Sequence, residues 1–156
     1  FRRGMECLCD HGLTYDILIY EHQLEDALAL VQAFPDQQFV LDHIAKPKIK
    51  SGQIEPWRTR LSQLAAYNNV VVKVSGMVTE ADHLHWNTEH LQPYWQVVLE
   101  AFTPNRILFG SDWPVIRLAS DYQPWIAVVQ RWLAPLSDTE RAAICGLNSQ
   151  RIYLRQ

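Results

Sequence analysis

Short apolar runs alternate along this chain with longer stretches in which apolar residues return every three or four positions. The runs at residues 14–20, 38–42, 70–75 and 106–111 have the length of β-strands. Between them, residues 22–34, 54–67 and 88–102 carry the spacing of amphipathic helices, as in Leu24, Leu28 and Val31 or Leu61, Leu64 and Ala65. A helix over 3–11 precedes the first strand, and helices over 122–133 and 137–154 follow the last. Pro35, Pro47, Gly52, Pro104 and Pro135 fall between elements. Gly12 suits a left-handed cap at the end of the first helix, and Ser137-Asp138-Thr139-Glu140 has the form of a capping box. Repeated βα units predict a parallel sheet with right-handed crossovers, either half of a (β/α)8 barrel or most of a small doubly wound sheet.

Chemistry at the strand ends bears on that choice, because a barrel assembles its active site from residues just beyond its strands. The fourth run, Ile107-Leu108-Phe109-Gly110-Ser111-Asp112-Trp113-Pro114-Val115, stops abruptly at a carboxylate. The second ends Leu41-Asp42-His43, and the third runs Val72-Lys73-Val74-Ser75-Gly76. Each feature has a plainer explanation. Ser111-Asp112 can cap the segment that follows, and a lone histidine after a strand often serves as a structural hydrogen-bond donor. Brought to one rim, His43 and Asp112 could bind a metal, or divide the work of polarising a carbonyl and activating water. Lys73 shares a strand face with Val71 and Ser75, so its ammonium needs an anionic partner or an opening to water, and a substrate contact is one such partner. His83-Leu84-His85 has metal-pair spacing but lies in the polar stretch 79–87, with no strand to hold both rings. There His85 and Trp86 are expected to close over a substrate instead. No phosphate-binding glycine loop, nucleophile elbow, Cys-x-x-Cys pair or zincin motif occurs.

With 156 residues, 48% hydrophobic and a formal charge of −3, the chain fits one globular domain over 1–156. Its basic residues are scattered, and the cluster Lys46-Pro47-Lys48-Ile49-Lys50, interrupted by proline and isoleucine, reads as a solvated loop. No nucleic-acid partner is expected. No apolar run approaches the roughly 18 residues that a membrane span requires, so a cytoplasmic protein without a membrane partner is expected. Cys7, Cys9 and Cys145 are expected to be free thiols in packed positions. The opening Phe1-Arg2-Arg3-Gly4 starts in mid-pattern, so a longer protein is expected to extend upstream.

Taken in order, Val40-Leu41-Asp42-His43-Ile44-Ala45-Lys46-Pro47, Lys73-Val74-Ser75-Gly76 and Gly110-Ser111-Asp112-Trp113-Pro114-Val115 resemble the amidohydrolase superfamily, and within it the sugar-lactone hydrolase branch. The resemblance covers almost the whole chain. It implies that this is the carboxyl-terminal half of a (β/α)8 TIM barrel, whose four parallel strands are the fifth to eighth and whose first half is absent. It implies a hydrolase that opens the cyclic ester of a sugar acid or a related carboxylate, with the isolated piece inactive. Asp112 would then take a proton from the attacking water and His43 would polarise the carbonyl, while Lys73 and Trp113 would orient the lactone. Superfamily members often bind one or two divalent metals, and a single zinc-like ion touching His43 and Asp112 is the expected form of any cofactor. Ala45 and Thr103 stand where the family has glycine. The rival readings are a metal-dependent decarboxylase of the same superfamily and a non-catalytic binding or assembly module. The latter follows because open sheet edges invite homo-oligomerisation.

Overall fold

A computed structural model describes residues 1–154. Its four strands, β1 (Tyr15–Ile17), β2 (Phe39–Leu41), β3 (Val70–Val74) and β4 (Ile107–Phe109), form one sheet in the order β1-β2-β3-β4, and every neighbouring pair is parallel. Consecutive order is the decisive feature. A doubly wound sheet reverses its order and places helices on both faces, whereas an unreversed sheet keeps its crossovers on one face, as a barrel wall does.

The two faces differ accordingly. Outward residues Phe39, Leu41, Val70, Val72, Val74 and Ile107 pack into the main core beneath α2 (Leu24–Ala33), α3 (Trp57–Ala65), α4 (Thr88–Phe102) and α5 (Tyr122–Leu133). Inward residues Val40, Val71 and Leu108 form a small separate cluster with Ile152. Ile152 belongs to α7 (Asn148–Tyr153), which lies under the amino ends of the strands. The Thr14 hydroxyl donates to its carbonyl at 2.9 Å, and the Asn148 amide donates to the carbonyls of Pro104 and Ile107 at 2.8 Å each. One end of the sheet's inner face is thus capped by α7, and the chemistry collects at the other.

Most expected elements are present, shortened at the strands. The helix expected over 137–154 is present and carries a π bulge. After the Ser137 capping box, α6 (Asp138–Ala142) runs through a π segment (Ala143–Leu147) into α7 with right-handed helical backbone at both junctions. α1 (Arg2–Asp10) carries Cys7 at the surface; Cys145 is also exposed and Cys9 is half-buried, so these thiols are free but not packed as expected. Among the described residues no helix is long and apolar enough to cross a membrane. Both positions where the family pattern has glycine carry positive φ, 60° at Ala45 and 57° at Thr103. Thr103, exposed and β-branched with ψ at 161°, sits in backbone that glycine alone adopts freely. Thr103→Gly is therefore expected to stabilise the protein by about 1 kcal/mol, read as a higher urea midpoint; a lower midpoint would contradict this reading of the turn.

Candidate active site

Strand β2 delivers Asp42 and His43 into an unusual turn. His43, Ile44, Ala45 and Lys46 are consecutive non-glycine residues with φ of 51°, 48°, 60° and 47°. Each left-handed residue costs about 1–2 kcal/mol, so the turn persists only because its surroundings fix it. Ile44 and Ala45 are fully buried, and the indole N–H of buried Trp57 donates to the Ile44 carbonyl at 2.7 Å. The turn swings His43 towards the ends of β3 and β4. There its Nδ1 lies 2.8 Å from the Ser75 hydroxyl and 3.8 Å from Oδ1 of Asp112. Asp112, with φ of 57°, is itself left-handed. Backbone strain concentrated on both candidate residues is characteristic of functional sites.

Two glycines make this approach possible. A Cβ on Gly76 would lie 2.9 Å from Nδ1 of His43, and Gly76 has φ of 64°; a Cβ on Gly110 would lie 2.9 Å from the Ser75 Cβ. Gly76→Ala is expected to cost about 1–2 kcal/mol of stability and, by displacing the imidazole, at least about tenfold in kcat. Unchanged kcat in a folded Gly76→Ala variant would show that the ring's placement is not critical.

His43 and Asp112 face a cleft of about 290 Å³, at the small end of ligand sites, which run to roughly 300–1,000 Å³. Lys46, Thr79 and Glu80 complete its polar side, and Leu18, Val115 and Leu118 its apolar wall. Burial holds His43 below its ordinary value although Asp112 and Asp42 pull upwards, and burial raises Asp112 against the pull of His43 and Lys46. The pair is thereby set as a neutral imidazole beside a carboxylate more basic than usual, as suits a general base.

The remaining expected site residues lie around this cleft rather than in it. Lys73 projects from the inner face of β3, 2.5 Å from Asp42 and 3.0 Å from Asp16. Burial opposes its charge, but the hydrogen bonds it donates to Asp42 and Asp16 carry its pKa well above the ordinary lysine value. Tyr153 of α7 lies 2.8 and 2.9 Å from the two Asp16 oxygens, its pKa pushed up to about 12 by burial and then by Asp16. Lys73 thus finds its anionic partners within the protein and ties the α7 end of the inner face to the residue before His43. Trp113 is exposed with the Arg117 guanidinium 5.7 Å from its ring centre. The indole of Trp86 donates to the Ala119 carbonyl at 2.9 Å, joining the β3 loop to the β4 loop. His85 pairs with Asp82 at 3.2 Å and lines a neighbouring cleft that shares Thr79, Glu80 and Leu118 with the first.

Ser75, Thr79, Glu80 and Lys46 join the site without being among the residues expected there. The loop that carries Lys46, expected to be solvated, instead buries Pro47 and Ile49 and is pinned by Lys48–Glu21 and Lys50–Asp82 ion pairs of 3.2 and 3.4 Å. A signal was present for Ser75, since alternation along β3 places it on the face of Lys73.

For a divalent ion, an imidazole and a carboxylate are suitable zinc-class donors, and the Ser75 contact at Nδ1 leaves Nε2 of His43 available. They supply two ligands of the four that zinc prefers. Among the described residues no group of three His, Cys, Asp or Glu could hold a metal.

The chain is 37% identical over 163 residues to an L-fucono-1,5-lactonase of Burkholderia multivorans, covering 98% of this chain and 55% of that protein. An L-fucono-1,5-lactonase of Burkholderia ambifaria is also 37% identical, over 96% of this chain and 53% of its own length. The chain thus spans about half the length of the curated relatives it matches. A crystal structure of a Burkholderia multivorans amidohydrolase with bound zinc superposes on all of this chain and 57% of its own, with a TM-score of 0.95 and 37% identity. The fold is accordingly that of amidohydrolase (β/α)8 barrels over about half of their length, with four parallel strands and flanking helices. The amidohydrolase family model matches residues 1–155, and with relatives of this similarity the chain belongs to the amidohydrolase family.

Proposed function

We propose that the full-length protein carrying this chain is a lactonase, opening the cyclic ester of a sugar acid or a related lactone with activated water. The observation that carries this reading is the convergence of His43 and Asp112 on one small cleft, 3.8 Å apart, in a chain similar to L-fucono-1,5-lactonases. Asp112 removes a proton as water adds to the acyl carbon. His43, held by Ser75, polarises the acyl oxygen through its other ring nitrogen. The bond from acyl carbon to ring oxygen then breaks, and Asp112 returns its proton to the departing alkoxide. One divalent metal at His43 and Asp112, when bound, would supply Lewis-acid activation of the carbonyl or water, with its other ligands coming from outside this chain.

Lys73, Trp113, His85 and Trp86 act in this reading as supports. Lys73 fixes Asp42 beside His43, Trp86 joins the two loops around the cleft, and Trp113 and His85 stand at its margin. The decarboxylase alternative predicts release of carbon dioxide from an aromatic carboxylate. Incubating the full-length protein with sugar lactones and with aromatic carboxylates separates the two. Acid release from a lactone is expected; carbon dioxide from a carboxylate, with every lactone left intact, would overturn the proposal. β1 and β4 each pair on one side only, which favours closure by further strands, of the same protein or of a second copy.

A further inference from the structure

Lys46 and Glu80 stand out within the cleft because, among the described residues, neither side chain has a hydrogen bond or ion pair where the neighbouring lysines have one. Lys48 and Lys50 take Glu21 and Asp82. Lys46, half-buried at the end of the left-handed turn, forms no ion pair and no side-chain hydrogen bond among the described residues, and its ammonium only lies 5.0 Å from the centre of the Tyr20 ring. Glu80 is also half-buried and likewise has no side-chain hydrogen bond or ion pair among the described residues. Burial raises its pKa, with Lys46 the chief opposing charge. Both line the cleft of His43 and Asp112.

A half-buried donor and a half-buried acceptor that face one cleft without meeting are costly unless a ligand satisfies both. The chemistry of that ligand group is narrow. A carboxylate would meet Glu80 and Asp112, and a cation would meet Lys46. A hydroxyl can accept from an ammonium and donate to a carboxylate at once. Leu18 and the Tyr20 ring beside Lys46 offer apolar surface to the C–H face of a saturated ring.

We propose that Lys46 and Glu80 are specificity-determining residues that grip one hydroxyl of the lactone between them, Lys46 donating to its oxygen and Glu80 accepting its hydrogen. This rests on the lactonase reading above and assigns a recognition role to two residues outside the reacting pair. A site built to bond a hydroxyl discriminates strongly against substrates that lack it.

The test compares kcat/KM for a polyhydroxylated six-membered sugar lactone with that for the unsubstituted six-membered lactone, in the full-length protein and its Lys46→Met, Glu80→Gln and doubly substituted variants. The ratio of the two values is expected to fall by about 10²-fold in each single variant. Because both residues hold the same hydroxyl, the double variant is expected to lose little more than either single one. Circular dichroism confirms folding, and isosteric Glu80→Gln carries the test alone should Lys46→Met not fold. An unchanged ratio, or losses in the two singles that multiply in the double, would overturn this assignment while leaving the lactonase reading intact. Failure of the parent protein on both lactones would overturn both.

Discussion

Asp112→Asn in the full-length protein is expected to lower kcat on its lactone by about 10³-fold, within the range of 10²–10⁴ attributed to a general base. The substitution keeps shape and backbone. Asparagine populates the left-handed region as readily as aspartate, so φ of 57° at position 112 is retained. Its effect on stability has a definite sign. Burial raises the folded-state pKa of Asp112, so the ionised carboxylate is harder to carry in the folded than in the unfolded protein, and its contribution to stability falls as pH rises through the ordinary carboxylate range. A neutral amide removes that penalty. The variant should therefore melt no lower than its parent at neutral pH while losing turnover, a stability–function trade common at active sites. Lost turnover with a lower melting temperature would point to a structural role for Asp112, and retained turnover would remove it from the mechanism.

His43→Asn is expected to cost about 10²-fold in kcat/KM, again in a residue type that tolerates the left-handed turn. Ser75→Ala, which removes only the 2.8 Å contact to Nδ1, should cost less, because Gly76 and the Trp57-anchored turn still hold the ring. The pH profile carries a second readout. Burial pushes the pKa values of His43 down and Asp112 up, so the two draw together and titrate as a pair. Activity in the parent protein should fall as pH drops through the window between ordinary carboxylate and imidazole values. His43→Asn leaves Asp112 alone on that limb and should move it. An unmoved limb with undiminished kcat/KM would show that the imidazole takes no part.

The residues that defined the fold were legible because they follow one physical rule each. Apolar runs bounded by Pro35, Pro47 and Pro104 mark strands and crossovers, and His43 and Asp112 can be named as rim residues because each follows shortly after a strand, β2 ending at Leu41 and β4 at Phe109. What escaped was non-local. Nothing in the letters His43-Ile44-Ala45-Lys46 announces a left-handed turn, since its conformation is imposed by Trp57, 13 residues away from Ile44. That turn converts Lys46 from a loop cation into a cleft residue. Lys73 is legible as a charge in an apolar strand, but its partners are Asp16, within β1, and Asp42, just past β2, and they meet it only through the parallel register. The helical pattern over 137–154 does give one continuous helix, but it carries no sign of the π bulge at Ala143–Leu147.

In the proposed reaction water, activated at Asp112, attacks the acyl carbon of a ring ester polarised at His43. Turnover of a sugar lactone by the full-length protein in ¹⁸O-water, with products weighed by mass spectrometry and corrected for uncatalysed opening, tests this directly. One ¹⁸O atom in the carboxylate of the acid is expected, formed at a rate that collapses in Asp112→Asn. Label in the liberated hydroxyl, or enzyme-dependent opening that persists unchanged in Asp112→Asn, would contradict it.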